Sequence, residues 1–449
     1  MPTTTTQARS TPDGRSVRAR LAVSGAYAAQ GLGYATVVTA LPAFKERQGI
    51  DDTAVSMIVL LVCVTAAGGS VLAERLATRF GSRTALLVGL GVQAVALPVV
   101  AGSSPMVPFV IGFALYGLGL GTVDAAAGIQ GVLVQHRYGR AVMSGFFACY
   151  TAAAIVGALV MSALVGAGSG PGAGGALVVA AVVLAGALLL GRRRLVATDL
   201  ALASPTSAAA GAGTVGGVAG ADASRADAPT VGVPPAEVPA PVVLPTAVSL
   251  AAVATPSADP ATTERRPLPT RGIWLFGGVV LAAFVADSAV STWSTVYLHD
   301  VLEATAAVAP LGYAAYQAAI LLTRLAGDRL VVRTGRAPIV AVTSAAAAGG
   351  LVLVALVPTP AAAVLGFAVV GIGVGALVPL AFSAAGELDP ARVDEVIARI
   401  NLFNYAGAIL GAVLVGLLAD GPGLGIAFLL PALLVAPTIA SARRFAAPA

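Results

Sequence analysis

Charge is what this chain has least of. Asp, Glu, Lys and Arg make up 10% of its 449 residues, where a soluble globular domain carries about 25%. So few charges cannot cover a water-facing surface, which excludes a soluble globular protein. Cysteine is scarce as well. Cys63 and Cys149 sit in separate apolar stretches, and the chain has only 2 histidines. Neither a disulfide framework nor a metal site follows from that inventory. Aromatics are 5% of the chain and no basic stripe interleaves with them, so the pI of about 9.5 is not the mark of a nucleic-acid binder. No loop carries the glycines and lysine of an ATP-binding site. No nucleophile or metal cluster falls at membrane depth. An enzyme is not expected, nor a cofactor.

What is present is apolar sequence. Hydrophobic residues are 57% of the chain, and the mean hydropathy is +0.90. The apolar runs reach roughly 20 residues or more, the length a helix needs to cross hydrocarbon. They lack the alternation of a barrel strand. Twelve spans can be marked: 20–44, 53–74, 84–102, 106–133, 141–166, 174–191, 272–298, 307–330, 337–357, 360–384, 395–419 and 423–441. Lys and Arg gather on the cytoplasmic side of membrane proteins. Counting loops alternately from an inside N-terminus puts all 26 basic residues inside except Lys45 and Arg47. This predicts an inner-membrane, multi-pass protein with both termini cytoplasmic and the lipid bilayer as its constant surroundings.

The first apolar run is too long for a signal-peptide core, so residues 1–19 read as a cytoplasmic tail. Residues 192–271 are of different material, as in VGVPPAEVPAPVVLPTA, where proline interrupts every apolar run. They read as a flexible cytoplasmic linker. Residues 442–449 read as a second tail. Between these lie two six-helix halves, 20–191 and 272–441. An internal repeat relates them. RFGSR (79–83) resembles RTGR (333–336), and GLGLG (117–121) resembles GIGVG (371–375). Gly81 pairs with Gly335, and Gly117 with Gly371, both at an interval of 254 residues. The expected fold class is all-α integral membrane, twelve transmembrane helices as two pseudo-symmetric halves, an architecture used by transporters.

The stretch GLGLGTVDAAAGIQG places an acid, Asp124, inside an apolar run. Only Asp124 and Asp287 lie deep inside spans. A charge at the centre of a membrane helix costs about 2.5–3.5 kcal/mol on insertion scales, so its face must line a cavity or meet a partner. Both are candidates for carrying a proton. The plain alternative is a structural hydrogen bond to a neighbouring helix. The glycines do not follow a strand, so the dinucleotide reading fails. They suit close helix packing instead.

Three polar stripes follow helical spacing: Tyr27, Gln30 and Tyr34; Tyr313, Tyr316 and Gln317; Asn401, Asn404 and Tyr405. Around Asp287 stand Ser288, Ser291, Thr292 and Trp293. Any one stripe could be glue between helices. Together they predict a polar cavity suited to a small, hydroxyl-rich solute. Two basic loops repeat an acid, several arginines and a turn glycine. One holds Glu74, Arg75, Arg79, Gly81 and Arg83. The other holds Asp328, Arg329, Arg333, Gly335 and Arg336. These are candidates for a cytoplasmic gate.

With these loops in view, the chain resembles a member of the major facilitator superfamily over everything but the tails and linker. The motif's usual aspartate before the first arginine is Thr78 in one half and Val332 in the other, with the acid one turn earlier. YATVVTALPAF, STWSTVYLHD and LGYAAYQAAILLTRLAGDRL look like the fucose-permease branch and its inner-membrane relatives. The resemblance implies that Asp124 stands for a proton-coupling glutamate, followed here by Ala125, Ala126, Ala127 and Gly128 where that branch ends its run in asparagine. The branch's first-helix aspartate falls near Val38 and is missing. The implied function is a monomeric secondary transporter working by alternating access. Proton-coupled symport of a polar solute such as a sugar leads. Proton-driven export of a drug or metabolite, and a transporter-like membrane sensor, are the alternatives.

Overall fold

A computed structural model describes residues 14–138, 142–167, 172–196, 268–389, 392–419 and 421–445. The start of the predicted N-terminal tail, nearly all of the predicted linker and the last four residues lie outside these. Within them the chain forms helices: α1 (Gly14–Thr39), a short α2 (Leu41–Gln48), α3 (Asp52–Phe80), α4 (Ser82–Gly102), α5 (Met106–Tyr138), α6 (Met143–Gly166) and α7 (Gly172–Arg194). After residue 268 come α8 (Thr270–Val296), α9 (Ala309–Thr334), α10 (Arg336–Leu356), α11 (Pro360–Gly386) and α12 (Val393–Ala419). Three pieces finish the fold: α13 (Leu424–Ala427), α14 (Leu429–Val435) and α15 (Thr438–Ser441).

Helix ends follow local chemistry. Asp51 caps α3, its carboxylate accepting from the Ala54 N–H at 2.8 Å. Thr359 caps α11 with Pro360 at the first helical position. The helices α3 and α9 run past their apolar stretches into LAERLATRF, rich in helix formers, and GDRLVVRT, which is helical despite its Gly, Asp, two Val and Thr. Each stops at a glycine of positive φ, Gly81 at +86° and Gly335 at +79°. The last predicted span is continuous in position but broken into α13, α14 and α15. Pro431 and Pro437 lack the N–H that would continue the ladder.

Ten helical stretches among the described residues are long and apolar enough to cross a membrane. Two further long helices, α1 and α9, fall outside that group. They are the ones that carry Tyr27, Gln30 and Tyr34, and Tyr313, Tyr316 and Gln317. Their polar residues dilute hydropathy, and those residues are turned inward rather than toward lipid.

Packing repeats itself. In the first set α1 packs on α6, α3 and α4 on α5, and α4 on α7. In the second set α8 packs on α12, α9 and α10 on α11, and α10 on α14. The two sets meet along two seams, α6 against α9 and α12 against α3. The glycine repeats explain the close approach. A Cβ on Gly119 would lie 2.7 Å from the Gln93 side chain and 3.1 Å from the Gly89 carbonyl. A Cβ on Gly373 would lie 2.5 Å from Ala347 and 2.6 Å from the Thr343 carbonyl. Gln93 and Ala347, like Gly89 and Thr343, stand at the same interval as Gly81 and Gly335.

Candidate functional site

Two polar networks face each other between the sets. The first begins at Asp124, half-buried on α5. The Gln30 amide on α1 donates to the Asp124 carboxylate at 3.0 Å and to the Leu120 carbonyl at 3.3 Å. Gln93, on α4, donates to the Gln30 Oε1 at 2.7 Å. Gln93 can reach because glycine at 119 lets α4 and α5 close together. One turn before Gln30, the Tyr27 ring stacks on Phe146 at 5.6 Å and meets Phe147 edge-on at 5.4 Å. The Gln30 amide thus holds Asp124, and Gln93 in turn holds Gln30.

The second network begins at Asp287, buried on α8. Tyr316 donates its hydroxyl to Asp287 Oδ1. Its neighbour Gln317 donates to the Tyr313 hydroxyl at 2.7 Å. Tyr313 and Tyr316 are both fully enclosed.

Tyrosines stand between the networks. Tyr34, on α1, lies within electrostatic reach of Tyr313, Asp287 and Tyr116. Tyr116, on α5, lies within reach of Asp124 and Tyr313. They make a cluster rather than a hydrogen-bonded chain, since the Tyr116 hydroxyl has no partner. Beside it lies a cavity of about 70 Å³ lined by Tyr34, Tyr116, Cys63, Ser288, Thr292, Asn404 and Tyr405 among aliphatic residues. Two residues of its wall carry buried polar atoms with no hydrogen-bond partner, Tyr116 OH and Asn404 Nδ2, and Gln93 Oε1, Asp287 Oδ2 and Asn401 Oδ1 are orphaned away from the wall. An orphaned buried polar group costs about 1–3 kcal/mol. Such a cluster stands ready for a polar guest.

Some predicted cavity residues sit elsewhere. Trp293 is turned against α12, where its indole N–H donates to the Ala412 carbonyl at 2.7 Å. Ser288 lines the cavity while also donating to the Ala408 carbonyl at 2.6 Å. Ser291 is buried in α8 without lining the cavity.

Long apolar helices in two sets around an enclosed polar centre are the frame of a membrane carrier, and relatedness bears this out. The family model described as Major Facilitator Superfamily matches residues 23–393 and 275–447. The chain belongs to the major facilitator superfamily. An uncharacterized MFS-type transporter of Yersinia pestis is 27% identical over 413 residues, 92% of each chain. Membrane protein MosC of Rhizobium meliloti is 30% identical over 155 residues, 34% of this chain and 38% of MosC. Among solved structures, the nucleoside transporter NupG superposes with a TM-score of 0.63 at 12% identity, over 96% of this chain and 99% of NupG. At that identity the likeness is one of fold. This superfamily member is a multi-pass membrane transporter and not an enzyme.

The transporter's two ends differ. At the α2 end, Lys45 donates to Asp52 at 2.5 Å and to Asp300 at 2.5 Å. Asp300 follows α8, so this bridge ties the two sets together. His299 lies 3.8 Å from Glu46 in the same patch. Partial burial opposes the Lys45 charge, but its hydrogen bonds to Asp300 and Asp52 and their negative charges together outweigh it and leave its pKa above the ordinary lysine value. Arg47 donates to the Ala101 and Val100 carbonyls at 2.5 and 2.6 Å. It thereby caps the C-terminal end of α4. At the opposite end, Glu74, Arg75 and Arg79 are exposed, Arg79 lying over the Phe80 ring at 5.4 Å, and Arg83 is half-buried. Arg329 and Arg333 are exposed, and Arg336 pairs with Glu387 at 2.6 Å within its own set. The Asp328 side chain lies outside the described residues.

Sequence reasoning passed over Gln93, Tyr116, Arg324 and the Lys45 bridge. Gln93 and Tyr116 each carry the signal used for Gln30, a polar group in an apolar span. Arg324 was grouped with the loop arginines. The structure sets it ten residues before the end of α9.

Proposed function

We propose that this transporter has twelve spans and works by alternating access, with the Lys45 end outside and both termini cytoplasmic. It couples uptake of a small polar solute, such as a sugar, to protons carried on Asp124 and Asp287. The tyrosine cluster between the two carboxylates is the observation that carries this reading. A polar solute that hydrogen-bonds the unpartnered Tyr116 hydroxyl then links the two sets. The orphaned amides and hydroxyls beside it supply the solute contacts, and the Lys45 bridge is a closed outer gate.

One observation favours a second reading. Val37, Val38, Leu41, Val59, Val62 and Phe113 make much of the cavity wall apolar. That wall suits an exported drug, or a solute with a flat apolar face joined to hydroxyls, as in the nucleosides for which NupG is named.

The test is proton movement in energy-depleted cells on adding panels of sugars, nucleosides and lipophilic cations. External alkalinisation with one sugar or nucleoside, abolished in Asp124→Asn, is the expected result. Proton release from acid-loaded vesicles on adding a lipophilic cation selects export instead. A coupled signal unchanged in both Asp124→Asn and Asp287→Asn removes the carboxylates from the mechanism.

A further inference from the structure

Among the described residues, Arg324 is a half-buried charge within α9 that nothing above explains. It lies on α9 two turns beyond Gln317, on the same face, and helical side chains lean back toward the preceding turn. Its Nε and Nη1 are shielded from solvent and have no hydrogen-bond partner. Guanidinium is always charged, so leaving two of its nitrogens shielded and unpaired is costly even in a half-buried side chain. Asp287 lies within its electrostatic reach, as do Tyr316 and Tyr150 of α6. Yet the two do not join. Tyr316 holds Asp287 Oδ1, and Asp287 Oδ2 is left without a partner. A cation with open donors and an anion with an open acceptor are thus held apart, beside the α6–α9 seam between the two sets.

We propose that Arg324 and Asp287 form a two-point site for a small hydroxycarboxylate, such as a sugar acid. The guanidinium takes the carboxylate, and Asp287 Oδ2 accepts a hydrogen bond from a hydroxyl. A neutral hydroxyl on Arg324 would supply an acceptor but no negative charge at contact distance. A carboxylate supplies both, in the planar geometry that suits guanidinium. A phosphate would balance the charge too, but its crowded oxygens would face Asp287 as like charge. The inference rests on the transport reading and names its substrate class.

Matched pairs test it on the purified full chain in nanodiscs. D-gluconate is compared with sorbitol, and lactate with propane-1,2-diol, by titration calorimetry. Each pair differs mainly in the carboxylate. Wild type is expected to bind a carboxylate at least about tenfold more tightly than its neutral partner. Arg324→Gln should lose that preference, and Arg324→Lys should keep part of it. Equal binding within both pairs, no binding of either carboxylate, or a preference intact in Arg324→Gln would overturn the site. If Arg324→Gln does not give monodisperse protein, the wild-type comparison and Arg324→Lys decide, with undiminished preference in the lysine variant counting against a planar carboxylate contact. Flux in proteoliposomes separates the two claims. Coupled uptake of sorbitol alone keeps the transport reading and removes this one. Gluconate binding through Arg324 without flux does the reverse.

Discussion

At the scale of residues, the interior is decided by a few charges and what stands next to them. Asp124 is stabilised by an amide, which asparagine could equally meet. Asp124→Asn should therefore fold normally, so its effect on coupling can be read directly. Asp287 differs, because Arg324 lies in its field. Removing one charge leaves the other buried without a counter-charge, at a cost of about 3 kcal/mol for a tight pair and less for a separated one. Asp287→Asn and Arg324→Gln should each lower the melting temperature in detergent. The double variant should recover part of the loss. Additive losses in that cycle would show that the two charges do not sense each other. Asp124, Asp287 and the stripe tyrosines were legible because a polar group in lipid-length sequence is conspicuous. Arg324 was not, because an arginine near a predicted span end looks like a positive-inside loop residue. Its depth became visible only once α9 proved to continue to Thr334.

At the scale of elements, helix length and approach do the positioning. Gly119 sets the distance between α4 and α5, and through it the reach of Gln93 to Gln30. Gly119→Val should cost about 1–3 kcal/mol by overpacking. It should also reduce coupled transport more than Gly128→Val, since a Cβ on Gly128 meets nothing within 4 Å. A variant at Gly119 with wild-type melting temperature would contradict this. The glycine runs were readable as packing devices; the partner that each one admits was not, because it comes from another helix. The end formed by α2 offers a second test. Exposed ion pairs are worth ~0–1 kcal/mol, but Lys45 is held between two carboxylates and is largely shielded. Cys63 lines the cavity and serves as a native reporter. In a Cys149→Ser background, Lys45→Ala should speed labelling of Cys63 by an impermeant maleimide several-fold when the reagent is added on the Lys45 side. An unchanged rate would mean that the bridge does not gate the cavity. This bridge was hidden in the sequence because Lys45 and Asp300 are far apart in the chain, and only the fold brings them together.

At the scale of the whole molecule, two sets of helices share one set of packing rules. The superfamily was legible from the long apolar runs and the repeated loops. The orientation of the stripes toward one another was not, since a repeat relates the halves without saying which faces meet. The linker enters here. Gln130, buried on α5, donates to the Val196 carbonyl at 3.0 Å and accepts from the Val196 N–H at 3.0 Å. The chain is therefore fastened where the predicted linker starts. Deleting residues 200–260 should leave transport within about twofold, while extending the deletion through Val196 should lower the melting temperature by removing two buried hydrogen bonds worth about 1 kcal/mol each. Loss of transport in the shorter deletion would give the linker a working role.

The interval shared by the glycine contacts has one more consequence. Every close approach made by Gly119 or Gly373 is to a helix of its own set. The contacts of these two glycines therefore do not depend on the covalent join between the sets. A gene cut within the linker would then encode two polypeptides that fold separately and find each other along α6–α9 and α3–α12. Two subunits would do the work of one chain.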